Sequence, residues 1–247
     1  VSHFELAVDH LCIAAVICEW WHRGIVKILY QLQSASTENR AEVPALFTQE
    51  GISMVRFLSS DIIIVSGLPR SGTSMMMRML EAGGIEPVTD NIRQPDEDNL
   101  RGYYEFERVK KIKEDKSWLP QCEGKAVKMI SMLLYDLPFD RRYKIIFMQR
   151  SMPEVLASQR VMLQRRGEMG APVDDAKMAH NYEKHLQHIA QFLSRQNQCD
   201  VLYVRYNDIL EDPARNIAVV NGFLSGILNT ERMAAAVEKN LYRQRKQ

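Results

Sequence analysis

Residues 62–78 carry the densest chemistry in the chain: Ile62-Ile-Ile-Val-Ser-Gly67-Leu-Pro-Arg70-Ser71-Gly72-Thr73-Ser74-Met-Met-Met-Arg78. A β-branched run passes through a Gly/Pro/Ser turn directly into a helical pattern. Such a turn aims several backbone N–H groups at one spot, at the positive end of a helix dipole. That makes an anion site suited to phosphate. Gly67 and Gly72 let the backbone come close to the ligand, and Ser71, Thr73 and Ser74 add hydroxyl groups. The spacing Gly67-x4-Gly72 copies the nucleoside-triphosphate loop, but Thr73 stands where that loop needs its lysine. The cation here is Arg70, inside the loop. These residues suit a short 5′ anionic chain better than a triphosphate with magnesium. The plain alternative is a turn that only joins strand to helix.

Two further stretches could face the same ligand. Arg150 ends the apolar run Lys144-Ile-Ile-Phe-Met-Gln149, and Ser158 follows eight residues on. Ser151 to Ser158 is two helical turns, so Ser158 returns to the face that the helix cap occupies. An arginine and a hydroxyl held this way could share one phosphate, at about 1.5–3 kcal/mol per charged hydrogen bond. Taken alone, the pair also reads as an exposed arginine and a serine bonding its own backbone. Tyr206 opens Tyr206-Asn-Asp-Ile-Leu-Glu-Asp-Pro213. This stretch reads equally well as a helix entry.

These residues need a scaffold that brings distant turns to one edge. Continuous β-branched runs at 61–66, 144–149 and 201–205 mark strands buried on both faces, and 125–128 is a weaker fourth. Helices follow at about 72–82, closed by Gly83-Gly84, and from Ser151, where Ser151 and Glu154 have capping-box spacing. A third carries Met178, Tyr182, Leu186, Ile189 and Leu193 on one face, and a fourth begins at Asp212-Pro213. Strands alternating with helices predict an α/β fold, a parallel sheet with helices on both faces. Met75 to Met77 and Met79 are expected to pack on that sheet.

The loop resembles that of the sulfotransferases, which use 3′-phosphoadenosine 5′-phosphosulfate (PAPS) as donor. Pro69-Arg-Ser-Gly-Thr-Ser74 matches the family's P-[KR]-S-G-T-[ST] throughout. The arginine form is similar to the branch of bacterial and protein-tyrosine sulfotransferases. The resemblance implies a P-loop-like α/β domain and a donor site of Pro69, Arg70, Ser71, Gly72, Thr73, Ser74, Arg150, Ser158 and Tyr206. Arg150 and Ser158 would take the donor's 3′-phosphate, and Arg70 would stabilise charge on the leaving 5′-phosphate. Lys128 matches a family strand lysine and is a second candidate cation. Ile130 occupies the place of the histidine base found in the cytosolic branch. The base is then expected to be a carboxylate, Asp90 or Glu105. Tyr103, Tyr104 and Phe106 either line an acceptor pocket or belong to the core. The resemblance requires no metal. It also leaves the acceptor, a hydroxyl or amine, unidentified. Two rival readings are a non-catalytic nucleotide-binding module of the same fold and an ATP-dependent kinase, which Thr73 opposes.

The rest of the chain narrows the field. At 247 residues, 46% apolar and 26% charged, it has globular composition and length enough for a sizeable core. A formal charge of +1 gives no general pull toward nucleic acid or anionic lipid. Cys12, Cys18, Cys122 and Cys199 include no CxxC pair, which fits a reducing cytoplasm rather than a disulfide framework. His185 and His188 have i,i+3 spacing, read as a solvated face rather than a metal pair. The chain divides near residue 54. Residues 1–53 hold three Lys/Arg against six Asp/Glu and read as a helix over about 4–33 followed by a polar linker. That extension is a packing helix, an interfacial helix or a stretch outside the natural product, since Val1 suits an alternative start codon and Met54 precedes the first strand. No chemistry is assigned to it. Residues 54–247 form the expected catalytic domain, and the late basic residues Arg243, Arg245 and Lys246 either reach the donor or end in solvent.

Overall fold

The computed structural model describes residues 61–90, 104–165, 167 and 174–237. The helix expected over 4–33, Tyr103, and the basic residues 243–246 lie outside them.

In chain order the elements are strand β1 (Ile62–Gly67), helix α1 (Thr73–Gly83), strand β2 (Ala126–Ile130), strand β3 (Tyr143–Gln149), helices α2 (Met152–Arg165) and α3 (Asp175–Leu193), strand β4 (Cys199–Arg205), and helices α4 (Tyr206–Glu211), α5 (Pro213–Phe223) and α6 (Thr230–Ala235). Short 3-10 segments (Glu107–Lys111, Leu119–Cys122, Ser131–Asp136) fill the connections around β2.

The four strands pair in parallel in the order β2-β1-β3-β4. Every residue of β1 is buried, as its unbroken β-branched run requires of a central strand covered on both faces. Ile63, Val65, Ile146 and Met148 pack on one face with Met75, Met76, Met77, Met79 and Leu80 of α1, together with Ile209, Ile217, Val220 and Met233. The methionine run is therefore core, as expected. Ile62, Ile64, Val127, Ile145 and Phe147 face the other way, onto Trp118, Leu119, Ile189 and Leu193.

Local signals set the helix ends. Gly84 closes α1 in the left-handed conformation (φ 105°), its N–H reaching the Leu80 and Glu81 carbonyls. Asp212 caps α5 by accepting from the Arg215 N–H, with Pro213 in the first turn. Such caps contribute about 1 kcal/mol each.

The strand order locates the site. β1 connects outward to β2 on one side, and β3 connects outward to β4 on the other. The loops leaving β1 and β3 therefore diverge from two adjacent strands. In open α/β sheets this switch point, at the carboxyl ends of the strands, is where ligands bind.

Candidate active site

The loop after β1 is tightly wound. Gly67 has φ 150°, and a Cβ there would lie 2.6 Å from the Met148 carbonyl oxygen on β3 and 2.5 Å from Ser71 Oγ. Gly72, the N-cap of α1, has φ 98°, and a Cβ there would lie 2.4 Å from the Tyr206 ring. Both positions thus need glycine for close approach as well as for conformation. Arg70 between them also takes a left-handed backbone, φ 71°, which costs a non-glycine residue free energy and is characteristic of functional turns.

That backbone turn points the Arg70 carbonyl at β3's exit, where Arg150 Nη1 donates to it at 3.2 Å. The Arg70 side chain reaches the other way, and its Nε donates to Ser158 Oγ at 2.9 Å. The structure therefore brings Arg70, Arg150 and Ser158 together, although 80 and 88 residues separate them from the loop. Arg150 is no exposed arginine, since its side chain keeps only 9% exposure. Its guanidinium lies over the Tyr206 ring, 4.6 Å from the centroid, a favourable cation–π distance. Burial raises the Tyr206 pKa above its ordinary value, against the opposing pull of Arg150.

Polar atoms near this loop lack partners. Among the described residues, the buried side-chain N and O atoms with no hydrogen bond are Ser66 Oγ, Ser71 Oγ and Arg78 Nε. All three fall on β1, its loop or α1. Gly72 supplies no side-chain cap to the first turn of α1. A buried donor left unpaired costs about 1–3 kcal/mol, and an anion in the loop would relieve that cost at Ser71. Beside it opens a cleft of about 460 Å³, lined by Leu68, Ser71, Met148, Gln149, Arg150, Ser151, Val155, Leu186, Arg205, Asn207 and Asp208. That volume falls in the ordinary range for small-molecule sites, about 300–1,000 Å³.

A second cluster lies beyond β1, around β2. Lys128 Nζ stands 3.9 Å from Glu105 Oε1, with side chains 14% and 23% exposed. Asp90 is tied to the same segment. Its N–H donates to the Glu105 carbonyl at 3.3 Å, and its Oδ2 accepts from the Glu107 N–H at 2.6 Å, at the start of a 3-10 turn. The three remaining candidates thus share one region, with different tasks: Asp90 organises the turn and Glu105 faces the lysine. Of the aromatics, Phe106 stacks edge-on against Trp118 in the core. Tyr104 packs against the α1 face, and its hydroxyl donates to Glu81.

Sequence reasoning missed two residues in this region. Glu154, expected to cap α2, accepts from Arg150 at Oε2 and from Asn207 at Oε1. Its i,i+4 spacing from Arg150 was a visible signal. His185 is half-buried rather than solvated, and its Nε2 lies 2.9 Å from the Oγ of buried Ser131, the first residue after β2. The 54 residues between them leave no local signal.

The family model for the sulfotransferase domain matches residues 60–247. The chain belongs to the sulfotransferase family. It is an enzyme of that class, on a parallel α/β sheet. Solved structures similar to this sulfotransferase include the sulfotransferase domain of the Synechococcus PCC 7002 olefin synthase, at 16% identity and TM-score 0.48, covering 75% of this chain and 80% of that one. The sulfotransferase domain from the curacin biosynthetic pathway matches at 16% identity and TM-score 0.43, covering 73% and 79%. Mouse sulfotransferase SULT7A1 complexed with PAP matches at 14% identity and TM-score 0.44, covering 76% and 67%. A search of curated protein sequences finds no match. No helix among the described residues is long and apolar enough to cross a membrane.

Proposed function

We propose that this sulfotransferase takes its sulfuryl group from PAPS and passes it to a hydroxyl or amine, releasing adenosine 3′,5′-bisphosphate (PAP). The observation that carries this reading is the junction of Arg70 with Ser158 and Arg150. Two stretches expected to bind anions, remote in sequence, meet at one cleft, which supports a nucleotide phosphorylated at both ends. The unpaired Ser71 Oγ also suits the donor's 5′ end.

In the reaction, the acceptor oxygen or nitrogen forms a bond to sulfur as the sulfur–oxygen bond to the 5′-phosphate breaks. The acceptor's proton leaves to a base. Negative charge grows on the bridging oxygen. A cation beside that oxygen lowers the barrier because it interacts more strongly there than in the ground state. Arg70 has that role here, with the loop N–H groups, and Lys128 is the second cation. Glu105 is the stronger choice of base, because Asp90 already holds the Glu107 N–H. The acceptor comes from the β2 side, where Lys128 and Glu105 face one another.

The test is sulfur-labelled PAPS incubated with a metabolite extract. Label transfer by the wild type, lost in Arg70→Ala, supports the reading. Saturable stabilisation by Mg-ATP but not by PAP counts against it, and PAP binding without transfer reduces the protein to a nucleotide-binding module.

A further inference from the structure

Glu154 is a buried carboxylate with no place in the chemistry above. Its side chain is 5% exposed, and that of its partner Arg150 is 9% exposed. One oxygen accepts from Arg150 Nε at 2.9 Å, and the other from Asn207 Nδ2 at 3.3 Å. Arg150 and Asn207 line the cleft; Glu154 stands behind them. Tyr206 covers one face of the same guanidinium, and the Arg70 carbonyl accepts from its Nη1.

A buried ion pair is a poor device for stability, because desolvating both charges offsets most of their attraction. Its value is geometric. An arginine side chain carries about 2 kcal/mol of rotamer entropy, and its five N–H donors lie in one plane. A carboxylate on Nε sets the rotation of that plane, and the tyrosine ring sets its tilt. Asn207, from the first turn of α4, fixes the carboxylate in turn. Three elements that leave neighbouring strands therefore hold one guanidinium in a single pose.

We propose that Glu154 is a positioning residue that orients Arg150 in the cleft, and that Asn207 supports it, so that the site distinguishes a 3′-phosphorylated nucleotide from its 3′-hydroxyl counterpart. This rests on the donor reading above. An arginine released from Glu154 keeps its charge but loses its direction. The contact with the 3′-phosphate weakens, while contacts at the 5′ end persist.

Calorimetric titration with PAP and with adenosine 5′-monophosphate tests this, with melting temperature as a check on folding. The wild type is expected to favour PAP by about a hundredfold, the worth of one or two charged hydrogen bonds. Glu154→Gln keeps the shape and removes the charge. It is expected to cut that preference about tenfold and to leave monophosphate affinity within about twofold. Asn207→Ala, at a less buried site, moves the ratio the same way by about threefold and carries the test if Glu154→Gln does not fold. An unchanged ratio in both variants overturns the inference alone. Equal loss of both nucleotides makes the pair a structural strut and also overturns it. A wild type with no preference for PAP overturns the donor reading, and this inference with it.

Discussion

Arg70 Nε donates to Ser158 Oγ at 2.9 Å, joining the loop after β1 to the middle of α2 across 88 residues. The bond places the expected transfer cation against the hydroxyl expected at the opposite end of the nucleotide. Removing each partner should therefore have a different effect. Arg70→Ala should lower turnover by about 10²–10³. Ser158→Ala should mainly weaken PAP binding, by about tenfold. Single-turnover rates and equilibrium titration separate the two.

Gly72→Ala should be severe. The new Cβ would meet the Tyr206 ring at 2.4 Å, at a backbone φ of 98° that L-residues rarely adopt. Strain of this kind costs about 1–3 kcal/mol. Displacing Tyr206 also removes the surface on which Arg150 rests. Urea unfolding should show the stability loss, and PAP titration a loss of affinity beyond it.

Asp90 and Glu105 should part company under mutation. Asp90→Ala removes the acceptor of the Glu107 N–H and should cost about 1 kcal/mol of stability, as a lost cap does. Glu105→Gln removes the carboxylate facing Lys128 and should lower turnover far more than it lowers the urea midpoint, as a lost base does. Undiminished turnover in Glu105→Gln would remove Glu105 from the mechanism.

His185 gives a pH signature. Burial, with His188 nearby, lowers its pKa below 6.5. The folded state then binds its proton less readily than the unfolded chain. The resulting stability is full above pH 6.5 and declines as pH falls toward the folded pKa. Urea midpoints at about pH 8 and about pH 5.5 should differ more in the wild type than in His185→Gln. The His185 imidazole's NMR titration should have its midpoint below 6.5.

Much of this architecture was legible because its signals are local. The unbroken Ile62–Val65 run specifies a central strand, and Gly83-Gly84 and Asp212-Pro213 specify helix ends. The loop is read from glycines whose Cβ atoms would collide. What the sequence hid is mostly contact between remote segments. Glu154 fits a capping box by spacing, yet its environment binds it to an arginine and to an asparagine 53 positions later. His185 looks polar and solvated within its helix, but the segment after β2 packs Ser131 and the Tyr135 ring against it and half-buries it. The pairing of Lys128 with Glu105 depends likewise on the segment before β2 folding against it.

The strand order has a consequence for how the enzyme comes into being. β1 lies between β2 and β3, so the loop and Arg150 become neighbours only after a parallel pairing across some eighty residues. Such pairings close late, because chain entropy is lost before they are rewarded. A nascent chain that stops before β3 carries a glycine loop with no guanidinium against Arg70. Competence to grip a nucleotide should thus be among the last properties acquired during folding, and recovery of PAP binding should trail recovery of helical signal in a refolding experiment.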